Sequence, residues 1–228
     1  MSHTLGPIHY LMYDKIQFQD RITEYLLGDN PAFHRLNEVM PPVSREDLAT
    51  LIDTPNIHGW LSARIDVVES RLSYALHATE NAEEKLYAFG KKMGKGYSYD
   101  SPDDVFEAIH GILLDGMPCD GALEAQGDEE GNLYLIEVED VHAPYEKNPL
   151  ATDPSLSLTK TCHGGHDHDH HEAFDVQREA NLRVKEEGDA TPKSVFYTCR
   201  LALLRGFMEP AGYGVEMISG TDYKVYKK

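Results

Sequence analysis

Cysteine is scarce in this chain: three among 228 residues, at positions 119, 162 and 199. An odd number at wide spacings builds no disulfide framework, so free thiols are expected. Long apolar runs are missing too. Nothing approaches the roughly 18 to 20 residues that span a bilayer, and the opening MSHTLGPIHY lacks the basic-then-apolar order of a secretion signal. A cytoplasmic protein with no membrane span is the expectation. Basic residues are outnumbered, 21 Lys and Arg against 39 Asp and Glu, for a formal charge of -18. Such a surface repels phosphate backbones, whose binding depends on Lys and Arg releasing counterions, so no nucleic-acid partner is expected. The sequence also lacks a Gly-rich phosphate loop, a dinucleotide fingerprint, H-E-x-x-H and G-x-S-x-G. Neither Cys119 nor Cys199 has a neighbouring His to activate it, so a cysteine nucleophile has no support.

What the chain does contain is the composition of a folded protein, 41% hydrophobic and 26% charged. Ile8, Leu11, Met12, Ile16, Ile22 and Leu26 fall near one helix face over residues 8 to 27, with Gly28-Asp29-Asn30-Pro31 as the stop. A short helix follows over Ala32 to Val39, then a cap at Ser44 to Asp47 before Leu48 to Ile52. Residues 59 to 93 read as a long helix, with a break indicated near Thr79-Glu80-Asn81. Ser101-Pro102-Asp103-Asp104 opens another helix, through Leu114 and up to Gly116. The texture then changes. Residues 122 to 138 read as a hairpin about the turn 127 to 132, and Thr191-Pro192 starts an apolar helix through Phe207. Two closing strands follow, Gly214 to Ile218 and Tyr223 to Tyr226. Between hairpin and last helix, residues 144 to 172 form a polar excursion and residues 173 to 187 a helix. Tyr87, Phe89, Phe106, Phe196, Tyr197 and Phe207 are assigned to the core.

From residue 80 onward this order resembles the four-vinyl-reductase-like small-molecule-binding domain, a relative in fold of TRAPP subunits and heme nitric-oxide-binding domains. Ala82 to Gly94, AEEKLYAFGKKMG, is similar to that family's LY-x-x-G-x-x-x-G helix, and Asp103 to Gly116 to its next helix. Ser194 to Ile218 resembles its pre-terminal helix and strand, and Gly220 to Tyr223 its closing turn. The family often flanks that turn with cysteines, whereas Ile218 to Tyr226 contains none. The resemblance implies an α+β fold, an antiparallel sheet covered by helices, with a cavity for a hydrophobic or small organic ligand. The domain division is then 1–79, an all-helical N-terminal region, and 80–228, an α+β domain with a His-rich insertion at about 144–172. A homodimer formed through the helices is expected.

The insertion holds TCHGGHDHDHHE, with five of the twelve histidines and one cysteine in residues 161 to 172. Imidazole and thiolate are good ligands for zinc, iron, nickel and copper. The candidate metal ligands are therefore Cys162, His163, His166, His168, His170 and His171, with His142, Glu172 and His9 as further contributors. The cofactor expected is a divalent transition metal, zinc or iron. Three functions remain open: a metal-binding, small-molecule-binding protein; a metalloenzyme, a hydrolase or lyase acting on a small organic substrate; and a metal chaperone or store. Alternatively, the tract is solvated and binds metal only adventitiously. His58, His77 and His110 are read as ordinary helix histidines.

Overall fold

Pro7 begins the first helix, where its missing N–H is no loss, and α1 runs Pro7–Leu27. The computed structural model describes residues 4–28, 30–146 and 190–228. The excursion from 147 onward, the helix expected over 173 to 187, and the ligands Cys162, His163, His166, His168, His170, His171 and Glu172 all lie outside the described residues. Helix α2 (Pro31–Val39) is capped by Asn30, and the single turn α3 (Leu48–Leu51) by Asp47, each side chain accepting a backbone N–H two residues on. The expected break in the long helix is real. α4 (Ile57–Ala78) and α5 (Ala82–Met93) are separated by a kink at Asn81, whose φ of +57° is left-handed. Ser101 caps α6 (Pro102–His110) through a bond from the Asp104 N–H at 3.2 Å.

Two boundaries differ from the sequence reading. α6 stops at His110 rather than reaching Leu114, because Gly111 ends the helix and Gly116, at φ +68°, turns the chain. α7 spans Val195–Met208 and so starts after Ser194, not at Thr191-Pro192, since Pro192 lies outside the helical hydrogen-bonding pattern. Ile8, placed on the buried face of α1, is 44% exposed, while Lys15, Gln19, Asp20 and Thr23 on the same helix are buried. Tyr87, assigned to the core, is 36% exposed, and Phe106 and Phe196 are only partly covered.

Strands β1 (Leu123–Gly127), β2 (Leu133–Glu137), β3 (Tyr213–Met217) and β4 (Tyr223–Lys227) form one antiparallel sheet in the order β1-β2-β4-β3. The class is thus α+β, as expected. Leu133 pairs with Val225 and Leu135 with Tyr223, and these four side chains are buried on one face. That face packs on α6 and α7 through Val105, Ile109, Leu204 and Phe207. A second apolar cluster joins α1, α2, α4, α5 and α7, and a third joins α1, α4 and the Leu114–Met117 turn.

Helix α7 belongs to both of the larger clusters, and its partner is α5. They approach so closely that a methyl group on Gly90 would overlap the Leu203 carbonyl oxygen, and one on Gly94 the Phe207 carbonyl oxygen. In return, a methyl group on Gly206 would overlap the Tyr87 carbonyl oxygen. The G-x-x-x-G spacing of α5 is therefore a packing seam, with glycines where backbone meets backbone.

Candidate functional site

Five charged side chains from five segments converge about Arg200 of α7 and His142. Leu133, Leu135 and Glu137 alternate along β2, so Glu137 continues the inward series and its side chain is 1% exposed. Its N–H is held by Asp222 Oδ1 at 2.9 Å, which pins the end of the strand. Asp115 faces the same space from the turn that Gly116 makes, with Asp120 Oδ2 bonded to the Met117 N–H at 2.7 Å. Arg200 comes from the middle of α7, and Glu69 from the buried face of α4. His142 sits just before a turn of 3₁₀ helix, Ala143–Tyr145. Asp140 builds that turn, its Oδ1 accepting the N–H groups of His142 and Ala143 and the Tyr197 hydroxyl. Lys193 bonds its other oxygen.

Arg200 Nη1 is the centre of the cluster. It lies 2.6 Å from Asp115 Oδ1, 3.6 Å from Glu137 Oε2 and 3.2 Å from His142 Nε2. His142 is 1% exposed, stacks on Phe196 at 4.0 Å, and places Nδ1 3.2 Å from Glu69 Oε2 and Nε2 3.3 Å from Asp115 Oδ1. Burial disfavours its imidazolium, but Glu69 and Asp115 outweigh burial and push its pKa up to about 10. Both ring nitrogens then donate, Nδ1 to Glu69 and Nε2 to Asp115. The approach of Arg200 Nη1 to Nε2 is two donors sharing one acceptor. Burial would likewise raise Asp115, yet Arg200 and His142 hold it well below the usual carboxylate range. Glu137 behaves in the opposite way. Burial, aided by Asp115 and Asp140 and opposed by Arg200 and His142, pushes it up to about 7.

The polar accounting is incomplete among the described residues. Both Glu137 carboxylate oxygens, Asp115 Oδ2, and Nε and Nη2 of Arg200 have no hydrogen-bond partner. Buried polar atoms normally have one. One oxygen each from Asp115 and Glu137 and one His142 nitrogen lie within 4.8 Å of one another, so this buried group could hold a metal ion. The chemistry available is proton exchange near neutrality at Glu137, a fixed positive charge at Arg200, and a three-ligand N/O set.

His142 also forms part of the wall of a pocket of about 270 Å³, shared with Glu69, Ser73, Tyr145, Glu146 and Phe196. A smaller pocket of about 140 Å³ lies on the other side of Glu69 and Tyr145, walled by Asp66 and Asp120. Tyr145 donates its hydroxyl to Asp66.

Of the metal candidates within the described residues, His142 is in the cluster and His9 is not. His9 Nδ1 accepts the Gly6 N–H at 2.9 Å, which closes the start of α1. His77 Nδ1 lies 2.8 Å from the Ser73 carbonyl, and His110 stacks on Phe106 at 5.3 Å. Cys199 is buried, and Cys119 is exposed and free. The sequence reading missed Glu69, Asp115, Glu137 and Arg200. Each carried a signal: a charge at a core position of α4, after Leu113-Leu114, at the third inward position of β2, and inside an apolar helix.

No helix among the described residues is long and apolar enough to cross a membrane. No protein-family model, no curated protein and no solved structure matches the chain.

Proposed function

We propose that this chain binds a small organic molecule in the pocket walled by Glu69, His142 and Phe196, and that the buried charge cluster holds that wall in place. The observation that carries the reading is the pocket itself. It is about 270 Å³, close to the range of small-molecule sites, and it adjoins a cluster of strongly perturbed ionisable groups. The order of elements from α5 to β4 supports reading the latter part of the chain as a four-vinyl-reductase-like domain, a class built around a ligand. A thermal-shift screen of small metabolites on the wild type and on Val195→Trp tests it. Val195 lines the pocket and is 50% exposed, so an indole there obstructs the pocket without entering the core. Compounds that stabilise only the wild type support the reading. Compounds that stabilise both proteins equally place binding elsewhere and defeat it.

A second reading, metal binding with zinc or iron as the ion, is favoured by the three converging ligand atoms and by the unpaired oxygens of Asp115 and Glu137. Two carboxylates and an imidazole suit either ion once His142 gives up a ring proton to it, and the bound ion would supply a Lewis acid close to the pocket. Arg200 Nη1 occupies the middle of the same group, so ion and guanidinium compete for one position. Elemental analysis of untagged protein separates the possible sites. Asp115→Asn/Glu137→Gln loses the ion if the buried group holds it, whereas His166→Ala/His168→Ala/His170→Ala loses it if the His-rich tract does. Arg200→Met raises affinity in the first case alone. Unchanged metal content in every variant refutes the metal reading.

A further inference from the structure

We infer that the occupant of the 270 Å³ pocket is a small organic cation: an amine or amidine joined to an apolar body. This rests on the ligand-binding reading above and names the chemical class. The pocket wall contributes carboxylates from Glu69 and Glu146 and hydroxyls from Ser73 and Ser194, while its apolar part is Leu76, Val195 and Phe196. None of the described residues lining it is Lys or Arg. Its one strong cation, the His142 imidazolium, is committed through Nδ1 to Glu69 and through Nε2 to Asp115. His77, at the same wall, has Nδ1 against the Ser73 carbonyl. Among the described residues, an anionic ligand would therefore meet acceptors and no Lys or Arg, and its desolvation would go uncompensated.

The unpaired atoms of this wall point the same way. Among the described residues, Glu146 Oε1, Ser73 Oγ and Ser194 Oγ have no hydrogen-bond partner, and Ser73 is 6% exposed. A carboxylate oxygen only accepts, and a serine hydroxyl that turns about its Cβ–Oγ bond accepts as readily as it donates. An ammonium group brings three N–H donors and an amidinium four, which matches an acceptor-rich wall. The charge of -18 on the chain raises the local concentration of cations around it. The apolar residues give a non-polar body somewhere to pack, so a bare metal ion or ammonium would leave most of the space unused.

The test is calorimetric titration with three molecules matched in shape: 2-phenylethylammonium, 2-phenylethanol and phenylacetate. The ammonium compound is expected to bind at least tenfold more tightly than the alcohol, with no binding of phenylacetate. Glu146→Gln is expected to remove that preference, with far-UV circular dichroism confirming an unchanged fold. Val195→Trp is expected to weaken the ammonium compound at least tenfold. If the alcohol or phenylacetate binds as tightly as the amine, and Val195→Trp blocks it, the cation assignment is overturned while the pocket remains a ligand site. If the amine binds equally to wild type and Val195→Trp, both this inference and the reading beneath it are overturned; if none of the three binds, the cation assignment alone is overturned and the metabolite screen decides the reading beneath it.

Discussion

Replacing Glu137 by Gln tests the physical account of the buried cluster most directly. The carboxyl is pushed from its ordinary 4.5 up to about 7 by burial, with Asp115 and Asp140 reinforcing and Arg200 and His142 opposing. The other groups near it, Tyr197, Tyr223 and Lys193, remain in their low-pH forms through this range, the two tyrosines raised by burial and Lys193 by Asp140. A carboxyl with a raised pKa binds its proton more tightly in the folded state. Its contribution is complete below about 4.5 and is lost as pH rises through 7. A rise of this size corresponds to about 3 kcal/mol between pH 4.5 and pH 8. Urea denaturation of wild type and Glu137→Gln at half-unit steps over that interval, with a chelator present, measures it. The wild type should lose about 3 kcal/mol more than the variant, half of it by about pH 6, with the difference levelling off above about pH 7. His142 adds a second decline, since its raised pKa gives stability that is complete below 6.5 and lost toward pH 10. Both proteins share that decline, so it cancels. If the two stability curves run parallel from pH 4.5 to pH 8, Glu137 is not the group that titrates and the account of its burial is wrong.

The same structure fixes other outcomes. Arg71 and Asp20 form a fully buried pair at 2.7 Å, and Arg71 also donates to Asn37 and the Met40 carbonyl. Arg71→Met should therefore cost about 3–5 kcal/mol by urea denaturation, and Arg71→Met/Asp20→Leu should recover part of it. At the α5–α7 seam, Gly206→Ala should cost about 3 kcal/mol, because backbone rather than a side chain has to yield. The same change at Gly131, where no atom lies near and only the positive φ of +80° is strained, should cost about 1 kcal/mol. Burial pushes the Cys199 thiol up to about 12, so peptide mapping after brief alkylation at pH 8 should find Cys119 modified and Cys199 protected until the chain is unfolded.

Periodicity and punctuation in the sequence were enough to read most of the elements and their order, while the antiparallel sheet covered by helices was what the resemblance implied. Pro7, Pro31, Ser101-Pro102 and the turn 127 to 132 mark their boundaries by local chemistry that needs no tertiary partner. Where the reading slipped, tertiary context decided: Ile8 is apolar yet 44% exposed, and Lys15 and Gln19 are polar yet buried. The site was harder to read because its members are far apart in sequence. His142 drew notice as an outside candidate, but the residues that give it meaning stand 73, 27 and 58 positions away. The local density of histidine in residues 161 to 172 outweighed a subtler signal, single charges at positions where the pattern called for an apolar residue.

The glycine seam between α5 and α7 has a consequence for how the pocket can change. Where two helices touch through side chains, a rotamer flip or a Leu-to-Val exchange adjusts their spacing. Gly90, Gly94 and Gly206 leave no such spacer, so α7 keeps a fixed distance from α5. Val195 and Phe196 ride on α7 and inherit that rigidity, making one side of the pocket a fixed reference surface. Any gain or loss of room must then come from the opposite side, at Ser73, Leu76 and His77 of α4 and at Tyr145 and Glu146. Divergence of ligand size among variants of this chain would be written in those positions, while α7 stayed constant.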